Sequence, residues 1–141
     1  MIPAFTRTSA YYETKTKDPA YRFFEASDVR RQVAEAPSGD YYTEGAYPRP
    51  FSPPPSSGLR LRAQPPYREY PLIPSSSFAG GAGTGYRSDI HRPGPVRVFY
   101  NDDDRTRFDV GYQTTSRGEG RTRYNLAVYH PAPTFGYLRR L

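Results

Sequence analysis

The chain has 141 residues and a formal net charge of +6, a length that allows one ordinary domain. It contains no Cys, which excludes a disulfide framework, a thiol nucleophile and a Cys-based zinc site. No apolar run is long enough to span a bilayer, and the first residues lack a signal-peptide pattern, so we expect no membrane segment and no secretory leader.

The apolar residues are mostly aromatic. Leu, Ile, Val and Phe together make up 16% of the chain, whereas Tyr alone contributes 14 residues. The chain also carries 16 Pro and 12 Gly. Because so few aliphatic residues are available, we expect a mostly irregular, extended fold with no large core, which is disordered when the protein is free.

The basic residues are almost all Arg. Lys15 and Lys17 are the only lysines among 20 basic residues. Arg offers a planar fork of donors, stacks on aromatic rings and loses its hydration more readily than Lys. An Arg- and Tyr-rich chain of this kind indicates a protein that lies against an acidic surface.

The N-terminal part predicts an arm followed by a helix. Residues 1–17 have no clear hydrophobic period and are assigned to an extended arm. Residues 18–36 predict a helix, because Asp18 is a suitable N-cap and Pro19 suits the first helical position. Ser27 and Asp28 leave open a division of this segment into two short helices.

Residues 37–95 are rich in residues that interrupt regular structure. They include Pro residues that favour an extended path, among them Pro48, Pro50, Pro53, Pro54, Pro55, Pro65, Pro66, Pro71 and Pro74. A cluster of Gly follows at positions 80–85. We therefore predict a strap or linker without helix or sheet over 37–95.

Residues 95–130 predict a small antiparallel β-meander of three strands. A strand over 96–100 is followed by a turn at 101–104. Apolar residues then alternate with polar ones over 106–112 and again over 122–128, with a turn between them. Residues 131–141 are assigned to a C-terminal tail because Pro131 and Pro133 break the pattern.

Few residues suit catalysis or metal binding. His91 and His130 are the only histidines, and both are predicted in irregular segments without a triad around them. The acidic run 102–104 lacks the ligand spacing of a calcium loop, and the Gly cluster at 80–85 lacks the Lys of a phosphate loop. We therefore predict no enzyme, no cofactor, no metal and no small-molecule substrate.

Tyr and Arg residues are the predicted contacts with a partner. On the meander, one face carries Tyr112 and Tyr124, and Arg107 and Arg123 lie at its rim. The spacing of Tyr86, Tyr100, Tyr112, Tyr124 and Tyr137 at 12 to 14 residues adds Tyr86 and Tyr137. This spacing has two interpretations: ordinary sheet and turn positions, which we favour, or contacts with a repetitive surface.

Two phrases, Gly85–Asp89 and Gly111–Arg117, combine Gly, Tyr, Arg, Ser and Thr in a style that resembles the microtubule inner proteins of ciliary and flagellar doublets. The resemblance implies a structural protein of the axoneme that binds tubulin and its neighbours and stabilises the lattice. The alternatives are a peripheral subunit of a mitochondrial assembly and a disordered RNA-binding or signalling adaptor. The sequence argues against nucleic acid as the partner, because acidic residues are spread along the whole chain and no RNA-recognition or KH signature is present.

Overall fold

The computed structural model describes residues 9–38, 46–54, 58–74, 85–87, 90–113 and 124–133. Within these ranges lie one α-helix, a single turn of 3-10 helix at Pro19–Tyr21 and eight strands. In chain order the elements are β1 (Tyr11–Glu13), β2 (Phe23–Glu25), α1 (Ala26–Glu35), β3 (Arg49–Phe51), β4 (Tyr67–Pro71), β5 (Val96–Asn101), β6 (Asp104–Tyr112), β7 (Asn125–Leu126) and β8 (Val128–His130).

The strands form two antiparallel sheets. The larger has the order β3-β4-β5-β6-β7 and the smaller the order β2-β1-β8. Between β7 and β8, the Ala127 N–H donates a 2.8 Å hydrogen bond to the Val110 carbonyl. The run 124–130 therefore passes from an edge of the larger sheet to an edge of the smaller one.

The core lies between α1 and one face of the larger sheet. Val29 and Val33 of the helix are fully buried against it. The sheet residues of this core are Tyr70, Val96, Val98, Tyr100, Phe108, Val110 and Tyr112. Strand side chains alternate between the two faces, so every second residue of β5 and β6 points to the helix.

The helix is shorter than the predicted segment 18–36. Asp18 is an N-cap, but it caps the 3-10 turn by accepting a 3.0 Å hydrogen bond from the Ala20 N–H. Strand β2 then intervenes before the helix begins. At its C-terminal end, Arg105 donates to the carbonyls of Val33 and Ala36 at 2.9 and 2.6 Å, which satisfies acceptors that a helix end leaves open.

Gln32 connects the helix to the chain that follows β4. Its amide nitrogen donates to the Ile73 carbonyl at 2.8 Å, and its amide oxygen accepts from the Ile73 N–H at 3.0 Å. The buried Gln32 amide therefore satisfies both backbone groups of Ile73, as the backbone of a paired strand would do.

The prediction of a mostly irregular fold with no large core is wrong, because the described residues form two sheets and a helix around a common core. The prediction counted aliphatic residues alone and so underestimated the size of the core, because tyrosines such as Tyr70 and Tyr100 are also buried in it. The strap predicted over 37–95 contains β3 and β4. Prolines are accommodated there because Pro50 lies in an edge strand and Pro71 ends β4.

The prediction of a small three-stranded meander near the C-terminus is also wrong, because β5 and β6 belong to a five-stranded sheet that includes β3 and β4. The alternation over 106–112 is present in β6, with Phe108, Val110 and Tyr112 on the helix side. In place of one third strand, β7 pairs with β6 and β8 pairs with β1 of the smaller sheet. In the predicted arm 1–17, residues 11–13 form β1, the central strand of the smaller sheet. Of the predicted tail 131–141, only 131–133 fall within the described residues.

Candidate ligand-binding site on the second sheet face

The face of the larger sheet that points away from the helix carries charged residues. Arg49, Glu69, Phe99 and Asp109 are successive register partners across β3, β4, β5 and β6. The side chain of Glu69 is only 3% exposed. Because a buried carboxylate is unfavourable without partners, the groups around Glu69 define the site.

Three side chains donate hydrogen bonds to the Glu69 carboxylate. Arg97 donates through Nη1 to Oε2, and Arg49 donates through Nε to Oε1 at 3.2 Å. The hydroxyl of Tyr124 donates to Oε2 at 2.7 Å. Two guanidinium groups thus share one carboxylate, and the cluster keeps a net positive charge.

Tyr47 holds both guanidinium groups in place. Its hydroxyl accepts a 3.0 Å hydrogen bond from Nη1 of Arg97. The guanidinium carbons of Arg49 and Arg97 lie 4.7 and 5.2 Å from the centre of its ring, within cation–π distance. The half-buried Tyr47 ring therefore contacts both guanidinium groups and helps to hold them beside Glu69.

Aromatic rings form the wall beside this cluster. The fully buried ring of Phe99 stacks on Phe51 at 4.2 Å and meets the edge of Tyr124 at 5.0 Å. Gly111 makes this packing possible, because a Cβ atom there would lie 2.7 Å from Cε2 of Phe99. Phe51 is half-buried, so it and Tyr47 are the rings of this wall that a ligand can reach.

The protonation states of the cluster follow from its burial. Burial raises the pKa of the Tyr124 hydroxyl well above its ordinary value, and the nearby charge of Glu69 raises it further. Burial alone would lower the pKa of Arg49, but the attraction and hydrogen bond of Glu69 outweigh that effect and raise it. Tyr124 therefore stays a hydrogen-bond donor, and Arg49 stays positively charged.

A cleft of about 440 Å³ lies next to Arg97. It runs between residues 16–18 and residues 93–95, and Gln113 lies on its wall. Nε of Arg97 donates to the Gly94 carbonyl at 3.0 Å, whereas its Nη2 has no hydrogen bond to a described residue. Arg97 thus belongs both to the Glu69 cluster and to the cleft.

Two of the predicted contact residues lie inside the fold. Tyr112 is buried in the core under the helix, and Tyr124 is buried over Phe99 with its hydroxyl on Glu69. A partner could reach either ring only if the sheet opened. In the structure, both tyrosines therefore contact other residues of the same chain.

The remaining predicted contact residues are dispersed. Tyr86 is half-buried and packs edge-on against Tyr47, at the border of the cluster. Arg107 lies near the hairpin between β5 and β6, where its side chain is 59% exposed. Arg123 and Tyr137 lie outside the described residues.

Sequence reasoning did not single out Glu69, Arg97, Arg49 or Tyr47. A signal was present for Arg97, since it interrupts the apolar strand 96–100 and must point to the face opposite Val96 and Val98. The same alternation places Glu69 opposite Tyr70. The pairing of the two charges depends on strand register, which the sequence alone does not determine.

In the described part of the chain, no group of three or more His, Asp or Glu side chains is placed to hold a metal ion. No helix there is long and apolar enough to cross a membrane. Comparison with protein-family models, with curated proteins and with solved structures gave no significant match. The functional proposal therefore depends on the geometry of this chain.

Proposed function

We propose that the protein binds single-stranded nucleic acid at the Glu69 cluster. The observation that supports this is a buried carboxylate shared by two guanidinium groups, with reachable aromatic rings beside them. Guanidinium groups bind phosphate, and bases stack on aromatic rings with little dependence on sequence. The sequence analysis argued against nucleic acid because acidic residues are dispersed along the chain. The clustered guanidinium groups and rings are the reason that we now propose it.

Arg49 is the group best placed to meet a phosphate. The Arg49 side chain is 39% exposed. Among the described residues, it donates a hydrogen bond to Glu69 through Nε and leaves its other N–H groups for a ligand. The guanidinium carbon of Arg49 lies 4.7 Å from the centre of the half-buried Tyr47 ring, and Phe51 follows two residues later on the same face of β3. A phosphate on Arg49 would therefore bring its base within reach of a ring.

The site supports binding without turnover. Phosphodiester cleavage by acid–base catalysis needs groups that exchange protons near neutral pH. The carboxylate of Glu69 is occupied by three donors, and burial raises the pKa of the Tyr124 hydroxyl well above its ordinary value. His130 pairs with Glu13 in the smaller sheet, and His91 accepts a hydrogen bond from the Arg87 N–H.

Fluorescence anisotropy with a labelled oligouridylate at low salt tests the proposal. Arg49→Gln should weaken binding about tenfold, the loss expected for one charge-assisted contact. Arg107→Gln is the matched control, since it removes the same charge at an exposed position away from the cluster. Equal losses in the two variants would mean that net charge alone attracts the oligonucleotide, and no binding by the natural chain would refute the proposal.

Exposed arginines favour a second proposal, a structural protein that binds tubulin in an axonemal doublet. Arg30, Arg60, Arg62, Arg92 and Arg107 are exposed on a chain of net charge +6, which suits an acidic surface. Binding would then occur on the outer surface of a folded, sheet-rich protein.

Co-sedimentation with doublet microtubules distinguishes the two proposals. Tubulin binding should decrease with Arg107→Gln and not with Arg49→Gln, which is the reverse of the expectation for nucleic acid. A tagged copy in ciliated cells should localise to the axoneme. Localisation to mitochondria would favour a subunit of a mitochondrial assembly instead.

A further inference from the structure

The cleft beside Arg97 has a rigid rim. Arg22 donates through Nε to the Thr16 carbonyl at 3.1 Å and through Nη2 to the Lys17 carbonyl at 3.2 Å. Asp18 is fixed in turn by the hydrogen bond that it accepts from Ala20. The main chain that carries the exposed Lys17 side chain is thus held on two sides.

The opposite side of the cleft is held by close packing. The ring of Tyr21 lies against Gly94, and a Cβ atom at position 94 would lie only 2.5 Å from the ring. Pro93 and Pro95 flank this glycine and restrict its backbone. Both walls of the cleft are therefore in place before a ligand arrives, which lowers the entropy cost of binding.

Two donors of the cleft suit an anion. Lys17 is exposed on its rim, and Nη2 of Arg97 has no hydrogen bond to a described residue, although the Arg97 side chain is only 8% exposed and Glu69 balances its charge. Asp18 is the carboxylate among the lining residues. The volume of about 440 Å³ falls in the range of small-ligand sites. Because Arg97 lines the cleft and also belongs to the Glu69 cluster, the cleft adjoins the cluster.

We infer that the cleft is a second nucleotide subsite, in which Lys17 and Arg97 bind the phosphate of the nucleotide that follows the one at the Glu69 cluster. This inference rests on the proposed nucleic-acid binding and adds a length requirement to it. A mononucleotide uses the cluster alone, whereas a dinucleotide that carries a further phosphate also uses the cleft.

Competition against a labelled oligouridylate tests this subsite. The competitors are uridine monophosphate and a uridine dinucleotide with a terminal phosphate. For the natural chain, we expect the dinucleotide to bind about tenfold more tightly than the mononucleotide. In Lys17→Gln this advantage should fall to about twofold, with mononucleotide affinity unchanged, and the salt dependence of oligonucleotide binding should decrease by about one phosphate contact.

Lys15→Gln is the matched control. Lys15 is exposed, lies two residues away and carries the same charge, but it does not line the cleft. It should keep the full advantage of the dinucleotide. Equal affinity of both competitors for the natural chain, or the same loss in both lysine variants, would overturn the subsite while leaving the cluster as a binding site. Failure of every oligonucleotide to bind would overturn both.

Discussion

The hydroxyl of Tyr124 donates a 2.7 Å hydrogen bond to the carboxylate of Glu69, although 55 positions separate the two residues in the chain. The bond joins the beginning of the run 124–130 to β4, an interior strand of the larger sheet. Both side chains are buried, so neither can exchange this partner for water without a change in the fold.

Removal of the Tyr124 hydroxyl should destabilise the protein. Tyr124→Phe leaves an oxygen of the buried Glu69 without one of its donors, and hydrogen bonds to charged groups contribute about 1.5–3 kcal/mol. We expect a decrease of that size in the free energy of unfolding measured with urea. Tyr129→Phe is the control, because its ring is 50% exposed and its loss should cost less than about 0.5 kcal/mol. Similar values for both variants would contradict a buried hydrogen bond at Tyr124.

Gly111 should not tolerate a methyl group. In Gly111→Ala, the new Cβ would lie 2.7 Å from Phe99, whose ring is fully buried under Phe51 and Tyr124. Overpacking of this kind costs about 1–3 kcal/mol, and the near-ultraviolet circular dichroism of the rings should change. In Gly85→Ala the nearest atom lies at 3.7 Å, so this control should retain nearly full stability. A stable Gly111→Ala with unchanged dichroism would show that the ring cluster is looser than described.

The bridge from Gln32 to Ile73 should be a major contribution to stability. Gln32→Leu keeps a similar volume but leaves the buried N–H and C=O of Ile73 without this partner. Each unsatisfied buried group costs about 1–3 kcal/mol, so urea unfolding should show a loss of about 2–6 kcal/mol for the two groups. The exposed Gln64 supplies the control, since Gln64→Leu removes the same amide at the surface. A loss at Gln64 as large as that at Gln32 would argue against the bridge.

Alkaline pH should unfold the protein steeply. Burial raises the pKa of Tyr70 to about 12 from its ordinary 10.0, and the charge of Tyr86 adds to this. The folded pKa is the higher one, so the stabilisation is complete below pH 10.0 and is lost as pH rises toward about 12. Burial also raises the pKa values of Tyr100 and Tyr124. Tyrosinate absorbance should therefore increase in a cooperative step that coincides with unfolding.

Replacement of one buried tyrosine checks the origin of this pH dependence. Tyr70→Phe removes one of the hydroxyls that must ionise, so stability should decline less steeply with pH in this variant than in the natural chain. A tyrosinate titration in which every tyrosine ionises near its ordinary pKa, without unfolding, would contradict the burial of these rings.

Local patterns predicted the elements that are formed by neighbouring residues. The alternation over 106–112 and the apolar strand 96–100 define β5 and β6, because adjacent strands of a hairpin need no distant partner. Pro37 directly follows Ala36, the C-cap of α1, where a proline cannot continue the helix. These features follow from short-range geometry, which the order of residues carries directly.

The remaining fold depends on contacts between distant residues. Nε2 of His130 lies 2.9 Å from the Glu13 carboxylate across 117 positions, and no local pattern indicates that β8 pairs with β1. In 49–51 and 67–71, Pro50 and Pro71 concealed strands that are tolerated only because of their places in the sheet. The Glu69 cluster unites residues from four separate segments, so its recognition required the register of the whole sheet.

The run 124–130 adds a strand to both sheets, and this affects the order in which the protein can fold during synthesis. A chain leaves the ribosome N-terminus first, so every other described strand is available before the run 124–130 emerges. Until then, β1 lacks one neighbour, β6 lacks β7, and Phe99 lacks the cover of Tyr124. Native pairing of such large sequence separation forms slowly. A nascent chain stalled before position 124 should accordingly expose the free edges of β1 and β6 to chaperones.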